Sequence, residues 1–155
     1  MNQPDIDIGT LLPHAGTARM IERVVSWDRE SIVAATTRHR ATDNPLRKDQ
    51  RLAAVHLAEF GAQAMAIHGG LLTTADGGTP RPALLVSARD LVVSRSYIDD
   101  LPGELEITAR VLLAGASGFQ YSFEVHHSGD LIASGRVAAI PYKMGSDPPI
   151  LSKNG

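Results

Sequence analysis

The sequence predicts an α+β domain in which an antiparallel sheet of about six strands wraps around one central helix. Three observations carry this. Residues 52–67 (LAAVHLAEFGAQAMAI) are apolar at thirteen of sixteen positions, the mark of a helix buried on nearly every side. Residues 104–126 alternate apolar and polar with a period of two, as half-buried strands do. Strand-like segments joined by short turns stand before and after the helix, which favours antiparallel pairing.

The elements follow in order. Arg19 to Trp27 and Ser31 to His39 read as strands joined by the turn Asp28-Arg29-Glu30. The Ala- and Leu-rich segment Leu52 to Ile67 favours helix, and the helix is expected within residues 51–68. Asp49 is placed to cap its start and Gly69-Gly70 to end it. Thr73 to Pro82 is rich in turn residues and reads as a loosely ordered loop. Ala83 to Val93 is apolar and β-branched, a strand with a bulge expected near Arg89-Asp90, and a candidate edge between subunits. From Glu104 to Leu113, Leu105, Ile107, Ala109, Val111 and Leu113 share one face. Phe119, Tyr121, Phe123 and Val125 form the apolar face of the next strand, and Ser128-Gly129 is a two-residue hairpin signal leading into Asp130 to Pro141. The folded domain is expected to span residues 1–144, with 145–155 as a flexible tail.

Composition narrows the function. A net charge of −2 argues against nucleic acid or an anionic membrane surface as partner. The 5% aromatic content argues against a base-stacking platform. No apolar run reaches the length of a membrane span, and the first residues lack the pattern of a signal peptide. The absence of Cys excludes disulfides and thiol nucleophiles and fits a cytoplasmic protein. Metal-ligand spacings, nucleophile elbows and phosphate loops are missing from the sequence.

The three polar residues of the apolar helix are His56, Glu59 and Gln63. Spacings of three and four put them within an arc of roughly 60°. A carboxylate in a core costs several kcal/mol unless it is paired or lines a cavity. An imidazole one turn away supplies the second partner of acid–base chemistry. The same spacing also fits a satisfied hydrogen-bond ladder or a subunit interface. The other histidines read as less informative. His14 is a loop residue, and His39 lies at an exposed strand end between Arg38 and Arg40. His68 is a cation at the helix C-terminus, and His126-His127 leads into a hairpin.

Several segments together resemble bacterial 3-hydroxyacyl-acyl-carrier-protein dehydratases. They are Leu12-Pro13-His14, Met20-Ile21-Glu22-Arg23-Val24-Val25, Asp43-Asn44-Pro45-Leu46, Glu59-Phe60-Gly61-Ala62-Gln63 and Leu131-Ile132-Ala133-Ser134-Gly135. Their order and spacing span roughly residues 10–142. Asp43 to Arg47 and Ala62 to Gly69 are similar to the branch associated with aryl polyene pigments. The resemblance implies the hotdog fold, with sites formed between two subunits. One departure stands out. The family places a catalytic His before the helix, whereas Pro45 to Ala54 (PLRKDQRLAA) contains none and that stretch is about five residues shorter.

What the resemblance implies for function is elimination of water from a 3-hydroxyacyl thioester. His56, or else His39, would take the proton α to the carbonyl. Glu59 would protonate the leaving hydroxyl, and Gln63 would orient Glu59. Gln63, Leu52 and Phe60 would contact the substrate. Backbone N–H groups at the helix start would polarise the thioester oxygen. No metal or cofactor is implied beyond the phosphopantetheine arm of acyl carrier protein or coenzyme A. The expected assembly is a homodimer or higher oligomer, or a heterodimer with another dehydratase. The alternatives are a non-catalytic hotdog partner of a dehydratase and a thioesterase on the same fold.

Overall fold

The computed structural model describes residues 6–12, 16–80 and 83–141. His14 and the 145–155 tail fall outside them. The strands are β1 (Arg23–Trp27), β2 (Ser31–Thr36), β3 (Ala83–Val93), β4 (Leu105–Gly115), β5 (Gly118–His127) and β6 (Asp130–Pro141), and the helix is α1 (Leu57–Ala75). All six strands form one antiparallel sheet in the order β1-β2-β4-β5-β6-β3. The helix packs across β2 to β6, and Phe60, Ile67, Ile107, Phe123 and Val125 meet between the two layers as buried core.

Several boundaries differ from the sequence reading, each for a physical reason. The first strand starts at Arg23 rather than Arg19. Met20 N–H is taken by the Gln63 side chain and Met20 C=O by the Thr36 hydroxyl, so this stretch belongs to the helix contact and not to the ladder. The second strand ends at Thr36 because the Glu22 carboxylate accepts both the backbone N–H and the hydroxyl of Thr37. The chain then turns through a 3₁₀ turn at Arg38–Arg40.

The helix begins later and runs further than expected. Leu52 N–H donates to the Asp99 carboxylate, Ile98 N–H to Leu52 C=O, and Ala54 N–H to Ser96 C=O. These bonds hold residues 52–53 extended against the β3–β4 connection, and a 3₁₀ turn at Ala54–His56 leads into α1. Asp49 caps nothing there. It and Gln50 sit at φ +52° and +64° in a tight turn closed by Lys48 and Arg51, which exchange both backbone bonds. At the other end Gly69-Gly70 does not stop the helix. A Cβ on Gly70 would lie 2.9 Å from Leu11 Cδ2, so this glycine serves close packing. The stop comes at Asp76-Gly77, where Gly77 takes φ +82°. The segment read as a loop from Thr73 is therefore helical through Ala75.

The hairpins match the sequence closely. Ser128 and Gly129 turn at φ +50° and +83°, and β3 is irregular between Arg89 and Val92, with Asp90 at φ +54°. On β4, Leu105, Ile107 and Ala109 are fully buried. A register shift between Val111 and Leu113 breaks the alternation there, so Leu113 is 60% exposed and not on the inner face.

Candidate active site

The first turns of α1 set the geometry. Gln63, 1% exposed, uses its whole amide. Its Oε1 accepts from Met20 N–H at 2.7 Å, and its Nε2 donates to Ala18 C=O at 2.9 Å and to Glu59 Oε1 at 3.1 Å. Gln63 thus ties the segment before β1 to the helix and fixes the Glu59 carboxylate one turn back. Fixing a half-buried carboxylate by a buried amide in this way limits the rotamers of both and satisfies the polar atoms of Gln63.

Glu59 and Gln63 line a cavity of about 310 Å³ between α1, β3 and β6. The rest of its wall is apolar, formed by Ala62, Met65, Ala66, Ala83, Leu84, Leu85 and Ala139. A second cavity of about 360 Å³ shares Met65, Ala66, Ala83 and Ala139 and continues past Gly69, Thr73 and Tyr121 toward the β4–β5 turn. A carboxylate at one end of an apolar space suits a substrate with a reactive polar head and an apolar tail.

The structure distributes the other predicted residues as follows. His56 lies in the 3₁₀ turn before α1, half-buried, and is not part of the Glu59 cavity wall. Leu52 and Phe60 are fully buried in the core, with Leu52 held by the backbone bonds to Ile98 and Asp99. Glu59 and Gln63 are the pair that geometry joins.

Two histidines differ from their sequence reading. His39 is not an exposed strand-end residue but fully buried. Its Nε2–H donates to Leu101 C=O at 2.9 Å, and its Nδ1 has no partner among the described residues. Burial holds it below the ordinary imidazole range. His68 is not a terminal cation but a buried mid-helix residue. A carbonyl can only accept, so Nε2–H donates to Asp28 C=O at 2.6 Å, and the Tyr121 hydroxyl donates to Nδ1 at 2.6 Å. Burial lowers His68 and raises Tyr121. Trp27 packs edge-on against the same imidazole, 6.3 Å between ring centres.

Sequence reasoning also missed what organises the shortened segment before the helix. Buried Asn44 donates to Arg38 C=O and accepts from Leu46 N–H. The Arg47 guanidinium donates to the carbonyls of Arg40, Ala41 and Gln50. The signal available was Asn44 beside Pro45, a turn-forming pair. Among the described residues no cluster of His, Asp and Glu is placed to hold a metal, and no helix is long and apolar enough to cross a membrane.

The geometry can be set beside known proteins. The family model described as ApeP-like, ApeP dehydratase, matches residues 6–146. No curated protein matches the chain. Among solved structures the chain is similar to the dehydratase heterocomplex ApeI:P from Xenorhabdus doucetiae, at 17% identity over 90% of this chain and 93% of that one, with a TM-score of 0.81. It is similar to the PaaI protein of the phenylacetic acid degradation operon of E. coli, at 17% identity over 77% and 78%, with a TM-score of 0.55. It is also similar to a mutant thioesterase from Pseudomonas aeruginosa, at 14% identity over 77% and 81%, with a TM-score of 0.53. At these identities the likeness shows the shared hotdog fold.

Proposed function

As the chain belongs to the ApeP-like dehydratase family, we propose that it removes water from 3-hydroxyacyl thioesters presented on the phosphopantetheine arm of acyl carrier protein or coenzyme A. The observation that carries this reading is Glu59, held by Gln63 at one end of an apolar cavity. The acyl chain enters the cavity and brings the 3-hydroxyl to Glu59. The α-hydrogen leaves to the base as a proton, and its electron pair forms the new carbon–carbon double bond. The bond from the β-carbon to oxygen breaks, and the hydroxyl departs as water with the proton that Glu59 supplies. His56 is assigned as base on its spacing from Glu59, and Leu52 and Phe60 back the substrate from the core. No cofactor takes part in these steps. Among the described strands β3 lies at an edge of the sheet and borders the cavity, and it is the edge through which a homodimer would form.

A second reading is a non-catalytic partner of an active dehydratase. Two observations favour it: no His lies between Pro45 and Ala54, and the chain is similar to a dehydratase heterocomplex.

Hydration of a crotonyl or longer 2-enoyl thioester, followed by loss of enone absorbance, tests the first reading. Glu59→Gln keeps shape and removes the acid, and lowers the rate by about 10²- to 10⁴-fold. His56→Ala tests the base separately and lowers it by a similar factor. A silent wild type that raises the activity of a second dehydratase on mixing establishes the partner reading. Release of free thiol with the enone intact would point to a thioesterase.

A further inference from the structure

Among the described residues, none packs against Gly69 closely enough to require a glycine there. It lies in the middle of α1, where Gly costs helix stability relative to Ala. The other two glycines of the helix interior are required by their neighbours. A Cβ on Gly61 would meet the Phe123 ring at 2.5 Å, and one on Gly70 would meet Leu11 at 2.9 Å. Among the described residues a Cβ on Gly69 would meet nothing within 4 Å, and its φ is not in the left-handed region. Neither the described neighbours nor the backbone geometry excludes a side chain there. What a side chain would enter is the second, 360 Å³ cavity, of which Gly69 forms part of the wall.

The position of this opening relative to Glu59 is set by the helix. Glu59, Ala62, Ala66, Gly69 and Thr73 follow at spacings of three and four and line the two cavities in turn. The ten residues from Glu59 to Gly69 correspond to about 15 Å at roughly 1.5 Å per residue. A four-carbon acyl group reacting at Glu59 does not extend that far, whereas an extended chain of sixteen carbons does.

We infer that Gly69 is a specificity-determining residue, kept without a side chain so that the apolar tail of a long-chain acyl thioester passes over it from the first cavity into the second. This rests on the reading that the acyl group reacts at Glu59. It assigns the chain-length limit to a single position, outside the groups that carry out the elimination.

The test uses the purified full chain with saturated thioesters, which bind without reacting. Binding of hexadecanoyl-pantetheine and butanoyl-pantetheine is measured by calorimetry for the wild type, Gly69→Ala and Gly69→Leu. The wild type binds the hexadecanoyl compound more tightly. Gly69→Leu weakens hexadecanoyl binding by tenfold or more, because displacing about two buried methylenes already costs about tenfold, and leaves butanoyl binding within a factor of two. Gly69→Ala has a smaller effect of the same sign. Its thermal midpoint rises by about 2–4 °C, as expected when Ala replaces Gly in a helix with no clash. Four results overturn the inference. They are a wild type with no preference for the longer chain, equal loss of both compounds in Gly69→Leu, no loss of either, and a change in molecular mass by light scattering that accompanies the loss, which would give the space to a subunit contact. A wild type that shows the predicted binding pattern but hydrates no enoyl thioester supports the inference and removes the catalytic reading alone.

Discussion

Adding one methyl group at Gly61 should be among the more damaging single changes to this molecule. An ideal Cβ there lies 2.5, 2.7 and 2.8 Å from Cγ, Cδ1 and Cδ2 of Phe123, well inside van der Waals contact. The ring has little room to retreat. It is 2% exposed, and on its far side it fills the space that a Cβ on Gly135 would take, 3.0 Å from Cε1. Phe123 is therefore lodged in a notch left by two missing side chains, one on α1 and one on β6. Overpacking of a tight core costs typically 1–3 kcal/mol, and contacts this short belong at the upper end. Ala is the better helix former by about 1 kcal/mol, which offsets part of the cost. The net loss is about 2 kcal/mol, or about 4–8 °C in thermal midpoint for a chain of this size. Thermal unfolding followed by circular dichroism checks the value, and Gly61→Ala combined with Phe123→Leu should recover part of the loss. An unchanged or raised midpoint in Gly61→Ala alone would refute the packing argument.

Three further predictions follow from local geometry. Gln63→Leu leaves the N–H of Met20 and the C=O of Ala18 without their present partner, and should lower stability by about 2–4 kcal/mol in guanidinium titration; a loss below about 0.5 kcal/mol would show that the clamp is dispensable. Gln50→Gly relieves a non-glycine residue at φ +64° and should raise stability by about 1 kcal/mol, whereas an unchanged denaturation midpoint would mean the turn is unstrained. Because burial lowers His39 and His68, the unfolded state binds more protons than the folded state just below the ordinary imidazole value of about 6.5. Stability is full above that pH and falls as pH drops through it, and His39→Gln should make the loss shallower when thermal midpoints are compared from pH 8 to 5; a midpoint that rises on acidification would reverse the sign.

Much of the architecture was legible because it depends on short-range pattern. Strand β6 matches its sequence bounds, and Ser128-Gly129 turns where the residue types demand. The bulge expected near Arg89-Asp90 is present in β3. What sequence could not show is where backbone groups find partners far along the chain. The helix start moved from Leu52 to Leu57 because Ser96, Ile98 and Asp99 claim the preceding backbone. The helix end moved because Gly70 answers to Leu11, fifty-nine positions away, and not to a local stop. The same limit applies to the site. Spacing singled out His56, Glu59 and Gln63; the structure joins Glu59 to Gln63 and places His56 in the 3₁₀ turn before α1, outside the cavity wall. Spacing could not show that the Gln63 amide is shared with the chain before β1, or that His39 and His68 are buried by other elements.

Three of the five strand pairings, β1–β2, β4–β5 and β5–β6, are local hairpins, while β2–β4 and β3–β6 join strands far apart in the chain. The Glu59 cavity has its walls on α1, β3 and β6. None of the local hairpins encloses it. Closing distant pairs requires loop-closure entropy to be overcome first. The early, local part of folding therefore produces structure without a site, and the cavity comes into existence only when β3 passes beyond β4 and β5 to settle on β6. No local hairpin of the chain, however well it folds, contains the place where the substrate would sit.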